Sequence, residues 1–188
     1  MVQTLGHYRE SDSDEYMMLG FSASRAPLED RWRTNDLSAN FIAYYVSTYF
    51  PRHDKAAIEL QANVQDAVSF IANELLENAM KFAYEPARQP MSIKMALEPE
   101  FVYFYVSNSV DPATLASFQG LIRELLTSDV HQLYLQRLEQ NALGTTQHRS
   151  GIGLLTMLTD YNAQIAWQFL TTAAATMVTT MVALPINS

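Results

Sequence analysis

Residues 73–82 read NELLENAMKF, inside a stretch from about Lys55 to Tyr84 that holds no glycine or proline. Val64, Val68, Ile71, Leu75, Ala79 and Phe82 recur at steps of three and four, which predicts one long amphipathic helix over this stretch. At 100° per residue, Glu74, Asn78 and Lys81 fall within about 60° of one another, at the border of the apolar stripe. A carboxylate, an amide and an ammonium thus share one edge of a buried face. The plain meaning of such an edge is a solvated Glu–Lys pair. The chemical meaning is an amide oxygen that can hold Mg²⁺ beside a carboxylate that can take a proton.

Outward from this helix the pattern changes period. Met91–Leu97 and Phe101–Val106 are β-like runs around Glu98–Pro99–Glu100, which predicts a hairpin. Residues from Pro112 to about Asn141 read as helix in two pieces divided near Ser128–Asp129. A short helix over Ile152–Tyr161 follows, then two strands, Gln164–Leu170 and Thr176–Leu184. Towards the N-terminus, Glu15–Ser22 suggests a strand, Asn35–Ser38 a turn or cap, and Phe41, Tyr44, Tyr45, Thr48 and Tyr49 a helix stopped by Pro51. Residues 1–14 are polar and read as a flexible tail, which leaves 15–188 as a single domain. The order implies an α+β fold: a two-layer sandwich whose mixed, mostly antiparallel sheet is covered by helices on one face.

Composition narrows the function classes. The 188 residues include 48% hydrophobic residues, enough for a packed core. A net charge of −8 argues against a nucleic-acid or anionic-membrane surface, because too little positive charge is available to displace counterions. With no cysteine there is no disulfide, thiol nucleophile or Cys-based metal site. The start has neither a basic region nor an apolar core of a signal peptide, so the expected location is the cytoplasm.

A second informative segment is HRSGIGLL, residues 148–155, where Gly151 and Gly153 enter an apolar helix. Glycines there let a backbone approach a ligand, and free N–H groups at a helix start favour phosphate. Taken together, ELLENAMKFA and RSGIGLL resemble the N box and G2 box of the GHKL (Bergerat-fold) ATPases, the superfamily of gyrase, chaperone, histidine-kinase and anti-sigma-factor ATP-binding domains. The RSG-x-G form is similar to the anti-sigma-factor serine kinases. The whole chain, including LGF…RWRTNDLSANF, resembles a stand-alone bacterial, largely cyanobacterial, branch related to SiaB-type protein kinases.

The resemblance implies ATP or ADP and Mg²⁺ as cofactors, with Glu74 as general base and Asn78 as magnesium ligand. Lys81 matches the basic residue near the phosphates. Gly151 and Gly153 match the last two glycines of the G2 box, Ser150 falls in the variable position before them, and Arg149 could face a phosphate. The family's Asp-x-Gly-x-Gly box has no counterpart in Val106–Pro112, which lacks glycine. Asn108 is the first choice to replace its adenine-binding Asp and Asp111 the second. An aspartate at 108 would be the stronger acceptor.

The function so implied is serine/threonine kinase or anti-sigma-like activity on a small STAS-like or SiaC-like antagonist in a partner-switching pathway. A response regulator or phosphatase would act in the same pathway, residues 127–150 would close as a lid, and the chain would form a homodimer. The alternative is a degenerate GHKL module that binds a partner without catalysis.

Overall fold

The computed structural model describes residues 1–21, 28–84, 87, 89–142 and 152–186, without the side chains of residues 28–33. In chain order the elements are β1 (Val2–Leu5), β2 (Tyr16–Phe21), α1 (Leu28–Ser47), α2 (Lys55–Phe82), β3 (Met91–Leu97), β4 (Phe101–Val110), α3 (Leu115–Thr127), α4 (Val130–Ala142), α5 (Ile152–Thr159), β5 (Gln164–Thr171) and β6 (Thr176–Pro185). The strands form one six-stranded sheet in the order β1-β5-β6-β4-β3-β2. All five pairings are antiparallel. The α+β architecture expected from the sequence is what forms.

Strand parity divides the two faces of the sheet. Val102, Phe104 and Val106 of β4 and Ile165, Trp167 and Phe169 of β5 enter the core shared with the helices. The buried stripe of α2, from Gln61 through Val64, Val68, Ile71, Leu75 and Ala79, lies against them, and Asp54 caps that helix by accepting from the Ala57 N–H at 2.8 Å. Tyr103 and Tyr105 of β4 point the other way, with Ala166 and Met181, into a smaller cluster on the outer face.

Residues 1–14 are a correction to the tail reading. Val2–Leu5 is an edge strand paired with β5, in register Val2↔Leu170 to Leu5↔Trp167. Gly6 then turns the chain with φ +79°, a conformation that glycine adopts without steric cost. The segment crosses the outer face of the sheet to reach β2 at the far edge. On the way Tyr8 meets Tyr105 edge-on at 6.2 Å, the Tyr105 hydroxyl donates to the Arg9 carbonyl at 3.0 Å, and the Arg9 guanidinium lies 4.8 Å from the Tyr103 ring centroid. Arg9 also pairs with Glu98 in the β3–β4 turn, whose carboxyl is held below the usual range by hydrogen bonds from Ser11 first and Arg9 second. Polar composition hid this strap because its anchors are backbone groups and aromatic faces, not an apolar run.

Helix α1 corrects two further expectations. It runs through Asn35–Ser38 without a break, the Ser38 hydroxyl being satisfied by the Thr34 carbonyl four residues earlier at 2.7 Å. Its buried face is Ala39, Ile42, Ala43 and Val46, whereas Phe41 and Tyr44 are exposed. The small alanines let α1 close on α2, Tyr45 packs half-buried against the core, and Phe41 and Tyr44 are left outside. The side chains of Arg31, Trp32 and Arg33 lie outside the described residues.

Candidate functional site

The C-terminal half of α2 is fixed to the end of β4 by a reciprocal pair of hydrogen bonds. Tyr84 N–H donates to the Ser109 carbonyl at 3.1 Å, and the Ser109 hydroxyl donates to the Tyr84 carbonyl at 3.0 Å. This clamp sets the last turns of α2 across from the end of β4. Between them, under α3, is a cavity of about 590 Å³. Trp167, Val106 and Val178 supply apolar wall from the sheet, and Leu75, Ala79 and Phe82 supply it from α2. Phe118 and Leu121 of α3 and Leu154 of α5 close the remaining sides. A mostly apolar cavity of this size with a few convergent polar groups suits a small organic ligand.

Four of the residues singled out by the sequence line this cavity together: Asn78, Lys81, Asn108 and Asp111. Asn78 is half-buried and has no hydrogen-bond partner among the described residues, so its amide is available to a ligand. Lys81 is exposed at the end of α2, its ammonium 5.2 Å from the Phe82 ring centroid. Asn108 shares parity with Val106 and Val110, which turns it to the helix side of the sheet, where it is buried. Its amide nitrogen donates to the Ser109 carbonyl at 3.0 Å, which leaves the oxygen as the group offered to the cavity. Asp111 is already committed: its carboxylate accepts from the Ala113 N–H at 2.9 Å, and its carbonyl accepts from Thr114 and Leu115 N–H as the chain turns into α3. Of the two candidates for the strand-end acceptor, Asn108 is therefore the freer.

Glu74 lies one turn up α2 from Asn78, beside the cavity and not on its lining. It is half-buried, and its pKa is pushed up by burial first and by the neighbouring Glu77 carboxylate second. Glu77 is itself held by the Asn73 amide, which donates to it at 3.0 Å. Gly153, in the first turn of α5, faces Glu74 directly. The two boxes of sequence, far apart in the chain, thus meet through these two residues. Arg149, Ser150 and Gly151 lie outside the described residues, as does the part of the expected lid after Ala142.

No group of three or more His, Asp or Glu side chains that could hold an ion occurs among the described residues. A magnesium ion that arrives on phosphate oxygens needs only one or two oxygens from a protein. The residue fit to supply one is Asn78. No helix among the described residues is long and apolar enough to cross a membrane. Sequence reasoning missed Thr180 and Trp167 as cavity wall, although their strand parity with Val178 and Ile165 carries the signal.

No protein-family profile matches the sequence, and no curated protein matches it. Among solved structures, a chain of the SiaB–SiaC complex from Pseudomonas aeruginosa superposes with a TM-score of 0.59 at 13% identity, over 89% of this chain and 89% of that one. The two chains share a fold.

Proposed function

We propose that the chain binds Mg·ATP in the cavity between α2 and β4 and transfers the terminal phosphoryl group to a serine or threonine of a small SiaC-like or STAS-like protein, as a GHKL-type regulatory kinase. The observation that carries this reading is the gathering of Asn78, Lys81 and Asn108 in one cavity with Glu74 alongside. The structural neighbour was solved as a two-protein complex, which supports a small protein as the acceptor.

In this reading the apolar wall of Trp167, Val106 and Phe118 takes the base, and the Asn108 amide oxygen accepts from its amino group. Asn78 would hold the magnesium ion, which when bound supplies charge neutralisation at the phosphates. Lys81 adds positive charge at the same end. Glu74 accepts the proton of the attacking hydroxyl as its oxygen bonds to the γ-phosphorus, while the bond from that phosphorus to the bridging oxygen breaks and ADP leaves. A carboxylate whose pKa is raised by burial is a stronger base than one in water, and the surrounding apolar contacts keep competing water out.

The exposed Leu37, Phe41 and Tyr44 of α1, at i, i+4 and i+7, offer a stripe on which two copies would pair as a homodimer. A second reading, a partner-binding module without catalysis, is favoured by the glycine-free strand end and by the engagement of Asp111 in its own turn.

One experiment separates the two. The protein is incubated with labelled ATP and Mg²⁺, with and without a purified SiaC-like protein, beside the Glu74→Gln variant. Label on the partner that falls roughly 10²–10⁴-fold in the variant supports the kinase. Absence of nucleotide binding at millimolar concentration leaves the binding module.

A further inference from the structure

Gly153 is a helical residue with no need of glycine's conformational range: Gly6 alone among the described glycines has a positive φ. Glycine inside a helix is unfavourable relative to alanine, so its presence in the short helix α5 calls for another reason. At Gly20 and Gly120 an added Cβ would meet nothing within 4 Å, whereas at Gly153 it would stand 3.2 Å from Cγ of Glu74, 2.7 Å from its Cδ, and closer still to Oε2. Interatomic approaches under 3.0 Å to a Cβ are essentially never seen in real structures, so the flexible end of the Glu74 side chain would have to swing out of its place. On either side of the contact Leu75 of α2 and Leu155 of α5 are almost fully buried, so the helices cannot separate cheaply to make room. No hydrogen bond among the described residues holds the Glu74 carboxylate, and Glu77, fixed by Asn73, presses on it with like charge.

We propose that Gly153 is the positioning residue for Glu74: the bare backbone of the first turn of α5 is the wall against which the carboxylate rests, and any side chain at 153 displaces it. This assigns the glycine a steric role towards the base, distinct from contact with phosphate. It rests on the reading of Glu74 as the base, while the contact itself can be tested without any catalysis.

The test is a double-mutant cycle on the whole chain, read by thermal unfolding without nucleotide. Gly153→Ala should lower the melting temperature slightly in the parent chain, because only the free end of the Glu74 side chain has to shift. In a Glu74→Ala background the same change should raise it, because the obstruction is gone and alanine is the better helix former. The double variant also remains informative if Gly153→Ala alone fails to fold. The same effect in both backgrounds overturns the proposal.

The functional arm measures phosphoryl transfer. Gly153→Ala should lower turnover at least tenfold with KM for ATP changed less than threefold, and should take nothing further from a Glu74→Gln variant. A loss of nucleotide affinity as large as the loss of turnover would make Gly153 a phosphate contact and overturn the proposal. A parent chain without transfer would end the kinase reading, and the inversion in melting temperature would still decide the contact.

Discussion

The Asn108 side-chain nitrogen donates to the main-chain carbonyl of Ser109, the neighbouring residue in β4, at 3.0 Å, and Asn108 is buried. That bond reverses an expectation drawn from chemistry alone. Aspartate at 108 would be the stronger acceptor for an adenine amino group, yet it would set a carboxylate against the Ser109 carbonyl and lose the donor. Asn108→Asp should therefore cost about 1–3 kcal/mol of stability, the penalty of a buried carboxylate left without a donor, since the Ser109 carbonyl keeps the Tyr84 N–H. It should not tighten ADP binding. Urea unfolding and ADP titration of the two forms decide this, and a stable variant with stronger binding would show that the amide nitrogen is not needed where it lies.

Glu74 should weaken the fold that carries it. Its pKa is higher in the folded chain than in the unfolded one, from burial first and Glu77 second. Stability from such a group is fully present below its unfolded pKa, near 4.3, and is lost as pH rises through the folded value. Glu74→Gln should accordingly melt higher than the parent at pH 7 to 8, with the gap closing below about pH 4. Melting curves across that range check the sign. A variant that melts lower at neutral pH would mean that the carboxylate has a stabilising partner.

Asn78 should matter only where magnesium does. Nucleotide that binds the native state raises the melting temperature in proportion to the logarithm of its concentration over Kd. In Asn78→Ala the extra rise contributed by Mg²⁺ should vanish, while the rise from ADP in EDTA should survive. Equal loss of both would make Asn78 a contact to the nucleotide itself.

Gly6 should tolerate no side chain. With φ +79° and a built Cβ 3.0 Å from the Ile165 carbonyl oxygen, Gly6→Ala meets both strain and a clash. A left-handed conformation costs an L-residue about 1–2 kcal/mol, which for a chain of this size lowers Tm by about 2–8 °C. Differential scanning calorimetry measures it, and an unchanged Tm would show that the strap is held elsewhere.

Pairing through α1 predicts that Tyr44→Glu, at an exposed position of the helix, lowers the mass in solution and removes the dependence of melting on protein concentration. Light scattering of the parent at tens of micromolar should report twice the 21.3 kDa chain mass, and the variant a monomer. A monomeric parent would reject the dimer.

Much of this architecture is legible in the residues. The 3–4 spacing from Val64 to Ala79 gives α2, because one continuous apolar stripe has only one sheet to lie on. The β3–β4 and β5–β6 hairpins follow from dense apolar runs with short polar breaks. Four of the residues singled out meet in one cavity: Asn78 and Lys81 come from the α2 motif, Asn108 and Asp111 from setting the strand end against the family's Asp-x-Gly-x-Gly box. What was not legible depends on tertiary partners. The edge strand Val2–Leu5 carries no periodic signal because an edge is held by backbone bonds to β5. The course of α1 through Asn35–Ser38 is another case, as the buried Asn35 and the alanine face gain their meaning only against α2. Asp111, the second choice for the strand-end acceptor, gives one carboxylate oxygen to the Ala113 N–H, a matter of local turn geometry that the sequence pattern does not announce.

The placement of β1 beside β5 has a consequence for how the fold is reached. Val2 pairs with Leu170, so two strands far apart in the sequence have to find one another. The central pairing of β4 with β6 likewise joins distant stretches. Closing such long loops before any contact rewards them is slow, and the waiting strand and the outer tyrosine face stay open meanwhile. Refolding from urea should be slowest in the step that docks the strap.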